Sequence, residues 1–147
     1  MNAIDILLEK AEEHAVDAGK TLARTRQKLA QAKDKLAMLQ SYQQECQANM
    51  HAIAVQGVSG FQLRNQNAFG GKIEMAVQQQ TRELEFLERT QAHQLGVWQA
   101  AMVEQKKFEA LKERARQKAM QLAEKREQKM NDEYAARIAR VNAGEIS

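Results

Sequence analysis

Apolar and small residues recur along the first part of the chain at alternating steps of four and three. The row runs Ile4, Leu8, Ala11, Ala15, Ala18, Leu22, Thr25, Leu29, Ala32, Leu36 and Leu39, and continues in frame through Gln43, Cys46, Met50 and Ile53. Its average period is about 3.5, so the row stays on one side only if the helix winds around a partner. The spacing predicts a first helix over about 2–55. A second row starts at Ile73 and takes in Val77, Gln80, Leu84, Leu87, Gln91, Gln94, Trp98, Ala101, Gln105 and Phe108, which predicts a second helix from about 70 to 141. Leu95, Met102 and Leu111 lie beside that row, so it broadens near Trp98. Glutamines at core-like positions predict a looser, more adaptable middle or a surface bound by something else, although polar seam residues can also fix register at a cost in stability. After Leu122 the apolar residues Met130, Tyr134, Ile138 and Val141 drift toward steps of four, which no longer makes a strict two-stranded seam.

The break between the rows carries Gly57, Ser59 and Gly60, then Asn65 and Asn67, and predicts a connector over about 56–70. Phe61, Leu63 and Phe69 within it are expected to plug the end of the seam. Gly70-Gly71 either closes the connector or loosens the first turn of helix two. Gly19 costs about 1 kcal/mol of helix propensity. It is read as simply tolerated, with close approach or local opening as the alternative. A short connector makes antiparallel packing the natural arrangement. The expected fold class is therefore all-α: a long antiparallel two-helix coiled coil, one α-helical hairpin over residues 1–147. At 1.5 Å per residue helix one is about 80 Å long and helix two about 105 Å, so the C-terminal end of helix two protrudes.

Composition fits long helices: no proline among 147 residues, seven glycines and 28% charged residues. A thin hairpin has a seam but no wide interior, and contact with other proteins is its natural work. The single cysteine, Cys46, has no internal disulfide partner and reads as a small seam hydrophobe. No stretch approaches the roughly 20 apolar residues that cross a bilayer. Asp5, Glu9, Glu12 and Glu13 interrupt the start of the chain, which does not read as a signal peptide, and a cytoplasmic location is the expectation. Charge is uneven: residues 1–20 carry a net of −3, residues 21–40 a net of +4 and residues 105–130 a net of +5. The basic stretches suit an acidic protein surface or a phosphate backbone, but on a soluble helix they are first a solvated face.

Catalytic patterns are missing. Gly70-Gly71-Lys72 lacks the upstream glycine and following hydroxyl of a nucleotide-binding loop. His14, His51 and His93 are too scattered to form a metal site, and no nucleophile has an evident base and orienting acid. A narrow hairpin also lacks the concave pocket that holds a substrate. The sequence therefore reads as no enzyme, with no cofactor and no metal. Glu109, Glu113, Glu124 and Glu127 break up the basic tract of helix two, and no aromatic platform accompanies it, so specific nucleic-acid binding is not expected.

Three segments carry a resemblance. They are Met38-Leu39-Gln40-Ser41-Tyr42-Gln43-Gln44-Glu45, then Phe69 with Ile73, Ala76 and Gln80, and, beyond Trp98, Lys129-Met130-Asn131-Asp132-Glu133-Tyr134-Ala135-Ala136-Arg137. In their order and spacing the chain resembles the flagellar FliJ family over essentially its whole length. The resemblance implies an antiparallel two-helix coiled coil similar to the central stalk of rotary ATPases. It also implies a non-enzymatic component of the bacterial flagellar type III export apparatus. The implied partners are the hexameric export ATPase, the cytoplasmic domain of the transmembrane export gate, and flagellar export chaperones, which it would escort. Through them the chain would sit peripherally at the inner membrane. Carried over residue by residue, the export-gate contact falls on Leu39, Tyr42, Cys46, Phe69, Ile73, Ala76 and Gln80. Cys46 departs from the family pattern, which commonly has a second tyrosine there. The ATPase-facing end would combine helix one near Leu7 and Leu8 with helix two beyond Met120, where Arg126, Lys129, Met130, Tyr134 and Arg137 are the candidate contacts. The alternative to this reading is a general structural coiled-coil adaptor, or a chaperone for a helical partner, outside flagellar export.

Overall fold

The computed structural model describes residues 2–57 and 59–146. Two helices, α1 (Ala3–Gln56) and α2 (Gly60–Ile146), pack against one another as an all-α helical hairpin. In α1 every member of the row from Ile4 to Ile53 is buried or half-buried, and only Asp5 and Gly19 outside it are shielded to that degree. In α2 every member of the row from Ile73 to Phe108 is likewise shielded. Leu95 and Met102 are half-buried beside it, as the broadening near Trp98 requires.

Local chemistry sets the helix ends. Gly57 has φ +71°, a left-handed conformation that costs glycine little, and it closes α1. Ser59 then starts α2: its Oγ accepts from the Gln62 amide at 3.4 Å, and its carbonyl accepts from the Leu63 amide at 3.2 Å. With α1 ending at Gln56, α2 begins at Gly60, ten residues before the expected start at 70. Gly60, Asn65, Asn67, Gly70 and Gly71, read as connector, are helical instead, because the serine cap satisfies the first amides. Phe61 and Leu63 make no plug: they are exposed on the first turn of α2. At its other end α2 runs on to Ile146, since nothing after Leu122 breaks a helix before Gly144. At α1's start, Asn2 and Asp5 cap each other reciprocally: the Asp5 amide donates to Asn2 Oδ1 at 3.0 Å, and the Asn2 amide donates to Asp5 Oδ2 at 3.4 Å.

The chain divides into two compact units: Met1–Glu13 with Met102–Ser147, and His14–Ala101. In the second unit three close approaches set the register. Cys46 Sγ lies 3.6 Å from where a Cβ on Gly70 would stand, Gln80 Nε2 donates to the Ala32 carbonyl at 3.1 Å, and Trp98 Nε1 lies 3.2 Å from the corresponding point on Gly19. The α2 number rises as the α1 number falls, which is antiparallel packing. Gly19 is therefore a point of close approach. In the first unit, Lys112 Nζ pairs with Asp5 Oδ1 at 3.2 Å. Side chains 109–144 of α2 are all exposed.

Candidate functional site

Within the unit His14–Ala101, a groove of about 320 Å³ runs between the helices on the approach to the turn. Tyr42, Glu45, Cys46 and Asn49 of α1 line it, facing Gln66, Phe69 and Ile73 of α2. Heptad spacing explains the set. Tyr42 and Asn49 are seven apart on one flank of the α1 seam, and Gln66 and Ile73 are seven apart within the α2 seam. Cys46 and Ile73 form the buried floor, 7% and 8% exposed. Tyr42 and Phe69 form the rims and are half open to solvent, 50% and 58% exposed. Large half-open aromatics on either side of an apolar floor make anchor points for a partner segment. Beyond Phe69 and Gln66 the groove continues past Asn65, Gln62 and Ile53 toward the turn.

Of the seven residues carried over for the export gate, Tyr42, Cys46, Phe69 and Ile73 share this one groove. Ala76 lies one heptad beyond Phe69 and is half-buried, and Leu39 is half-buried in the seam. Gln80 is only 4% exposed, and its amide nitrogen is committed to the Ala32 carbonyl. Cys46 and Ile73 therefore form the floor of the groove and Gln80 ties the helices together away from it, while Tyr42 and Phe69 offer the accessible surface. Glu45, Asn49 and Gln66 were missed by the sequence reading. Their signal was present, since each lies in or beside the heptad frame near Cys46 and Ile73. On the other flank of the same floor, Gln43, Gln47 and Met50 face Asn67, Gly70, Gly71 and Glu74 across about 390 Å³.

The residues carried over for the ATPase lie in the unit formed by Met1–Glu13 and Met102–Ser147. Leu8 is buried at 8% exposed, whereas Leu7 is open to solvent. Arg126, Lys129, Met130, Tyr134 and Arg137 are exposed on α2, the methionine and tyrosine at 69% and 67%. The basic tract upstream is partly compensated. Arg116 grips Glu113 with Nε to Oε2 at 3.0 Å and Nη2 to Oε1 at 2.7 Å, and reaches Met120 Sδ with Nη1 at 2.9 Å. That fork lowers the Glu113 pKa and raises that of Arg116, chiefly through the side-chain hydrogen bonds. Asp5 also sits below the ordinary aspartate range, held there first by its bond to Lys112 and then by the Asn2 amide.

His14, His51 and His93 are each exposed. Among the described residues no cluster of three or more histidine, cysteine or acidic side chains is placed to hold a metal ion, and no helix is long and apolar enough to cross a membrane. A family model described as the flagellar FliJ protein matches residues 1–144. The chain belongs to the FliJ family. It is 27% identical over 139 residues to the flagellar FliJ protein of Salmonella typhi, covering 93% of each chain. It is 27% identical over 137 residues to the flagellar FliJ protein of Escherichia coli (strain K12), again covering 93% of each. No solved structure matches.

Proposed function

We propose that this chain is a non-enzymatic adaptor of the flagellar type III export apparatus. It joins the hexameric export ATPase in the manner of a stalk, touches the cytoplasmic domain of the transmembrane export gate, and escorts export chaperones. Membership of the FliJ family supports the general role. The observation that carries the gate contact is the pairing of Tyr42 and Phe69 on the two rims of one groove with an apolar floor. Both rings are open to a partner, and burying them would desolvate large apolar surfaces. Cys46 and Ile73 act by positioning those rims, and Gln80 by tying the helices together.

The ATPase contact is assigned to the exposed α2 segment that carries Arg126, Lys129, Met130, Tyr134 and Arg137, with Leu7 of α1 and with Leu8 as a seam support. Positive side chains there speed encounter with an acidic ring interior, and Met130 and Tyr134 supply apolar contact. The chain performs no hydrolysis. It biases the ring by binding one conformational state more tightly than another. At the inner membrane it is held through these partners.

Two measurements test the reading. Purified protein added to the export ATPase is expected to promote hexamer formation and raise ATP turnover; no binding and no change in either would remove the ATPase role. Tyr42→Ala with Phe69→Ala is expected to weaken binding to the cytoplasmic domain of the export gate roughly tenfold or more, since truncating two central aromatic anchors commonly costs that much. Helicity by circular dichroism should be unchanged. Unaltered affinity would take both residues out of the gate contact.

A further inference from the structure

The arrangement that forms the Tyr42–Phe69 groove recurs farther along the helix pair. A second stretch of about 220 Å³ is lined by Lys28, Gln31, Ala32 and Lys35 of α1 and by Gln80, Glu83 and Leu87 of α2. Each of these residues is displaced fourteen positions from a counterpart in the turn-side stretch. Lys28 and Lys35 stand where Tyr42 and Asn49 stood, Glu83 replaces Phe69, and Leu87 replaces Ile73. Fourteen residues are two heptads, counted down α1 and up α2. The two stretches therefore lie on the same side of the helix pair, about 21 Å apart.

The chemistry changes along that line. Toward the turn the rims are aromatic. Two heptads away the α1 rim is cationic, with Arg24 exposed one turn beyond Lys28. Met38, 51% exposed, continues the same edge between Lys35 and Tyr42. Among the described residues neither lysine nor Arg24 is in an ion pair, and Glu83, the one acid of this stretch, is paired with none of them. Three free cations beside one carboxylate leave an uncompensated positive edge.

We infer that the groove receives a single amphipathic segment of a partner protein, apolar or aromatic where it meets Tyr42 and Phe69 and acidic where it meets Lys35, Lys28 and Arg24. The turn-side half of this inference rests on the export-gate reading; the cationic half and the direction of the bound segment go beyond it. Charge complementarity fixes that direction, since reversing the segment would place its acids between two aromatic rims and leave the lysines unpaired.

The test is a titration of the full-length chain with the purified cytoplasmic domain of the export gate, at low and at high salt. Lys28→Glu with Lys35→Glu is expected to weaken binding about tenfold or more at low salt, and Lys28→Gln with Lys35→Gln to weaken it less, with both differences shrinking as salt screens the contact. Arg26→Glu with Lys33→Glu changes net charge equally but on the opposite flank, in heptad register with Gln47, and is expected to leave affinity within about twofold. If that control weakens binding as much as the Lys28/Lys35 pair, the effect is general steering and the groove assignment is overturned. If Tyr42→Ala with Phe69→Ala abolishes binding while the lysine variants bind normally, the cationic half falls and the gate reading stands. If the aromatic variant binds normally, the gate reading falls and takes the two-ended segment with it. Sedimentation of the wild-type chain with vesicles of phosphatidylserine and phosphatidylcholine, lost on Lys28→Glu with Lys35→Glu, would overturn a protein partner in favour of a lipid surface.

Discussion

A methyl group at Gly19 would stand 3.2 Å from Nε1 and 3.4 Å from Cδ1 of Trp98. The glycine is a socket for the indole, and that gives it a role helix propensity alone would deny. Leucine forms helix better than glycine, by roughly 0.5–1 kcal/mol. On propensity Gly19→Leu would stabilise the protein. Against the fixed indole it is expected to destabilise it, by about 1–3 kcal/mol, the usual cost of forcing extra volume into packed side chains. Thermal unfolding by circular dichroism reads the sign directly, and a raised melting temperature would show that Trp98 swings aside freely. The other residue-scale test concerns Asp5. Its carboxylate accepts from Lys112 and from the Asn2 amide, and its pKa lies below the ordinary aspartate range. The folded pKa is lower than the unfolded one. Its stabilising contribution is therefore complete above the ordinary aspartate pKa and is lost as the pH falls through the lowered folded value. An NMR titration is expected to place Asp5 below a model aspartate. Lys112→Ala should move it upward, though not fully, because the Asn2 amide remains.

Helices of this length are decided by their seams, and the α2 seam carries glutamines where hydrophobes would pack better. They do not all behave alike. Gln80 donates to the Ala32 carbonyl and so pins one helix to the other. Gln91 and Gln94 bury their carbonyl oxygens with no donor from the described residues. A buried acceptor without a partner costs about 1–3 kcal/mol. Gln94→Leu is accordingly expected to raise stability by about 1–2 kcal/mol and to slow hydrogen exchange of nearby amides, whereas Gln80→Leu is expected to lower it. Equal effects of the two changes would contradict the distinction. Both rows of seam positions were legible in the sequence because a period of 3.5 leaves few other ways to bury Leu22, Leu29, Ile73 and Ala101 together. The start of the turn was legible too, at Gly57 and Ser59, but its far end was not, because the louder glycines at 70 and 71 sit inside a helix. The groove was half legible. Tyr42 and Phe69 came from resemblance, but that they face each other over Cys46 and Ile73 depends on a register only the folded pair reveals. The close fit of Trp98 to Gly19 was likewise beyond pattern, since it needs the number of the residue opposite.

For the molecule as a whole, the consequential feature is that α2 continues long after burial stops. Side chains 109–144 are exposed, and Leu111, Met120, Leu122, Met130, Tyr134, Ile138 and Val141 among them are large and apolar. An exposed helix without tertiary packing contributes little to global stability. Ending the chain after Lys118 removes residues 119–147 and, among the described residues, none of the buried side chains. That truncation is expected to shift the melting temperature by no more than about 2 °C, as surface changes usually do, while the helical signal per molecule falls with the residues removed. Binding to the export gate, assigned to Tyr42 and Phe69 in the other unit, should persist; assembly and stimulation of the export ATPase should disappear. A truncated chain that still stimulates the ATPase would move that contact off the C-terminal segment. A large drop in melting temperature would mean that the apolar stripe on α2 is already covered in the free protein, and that the ATPase must displace whatever covers it before it can bind.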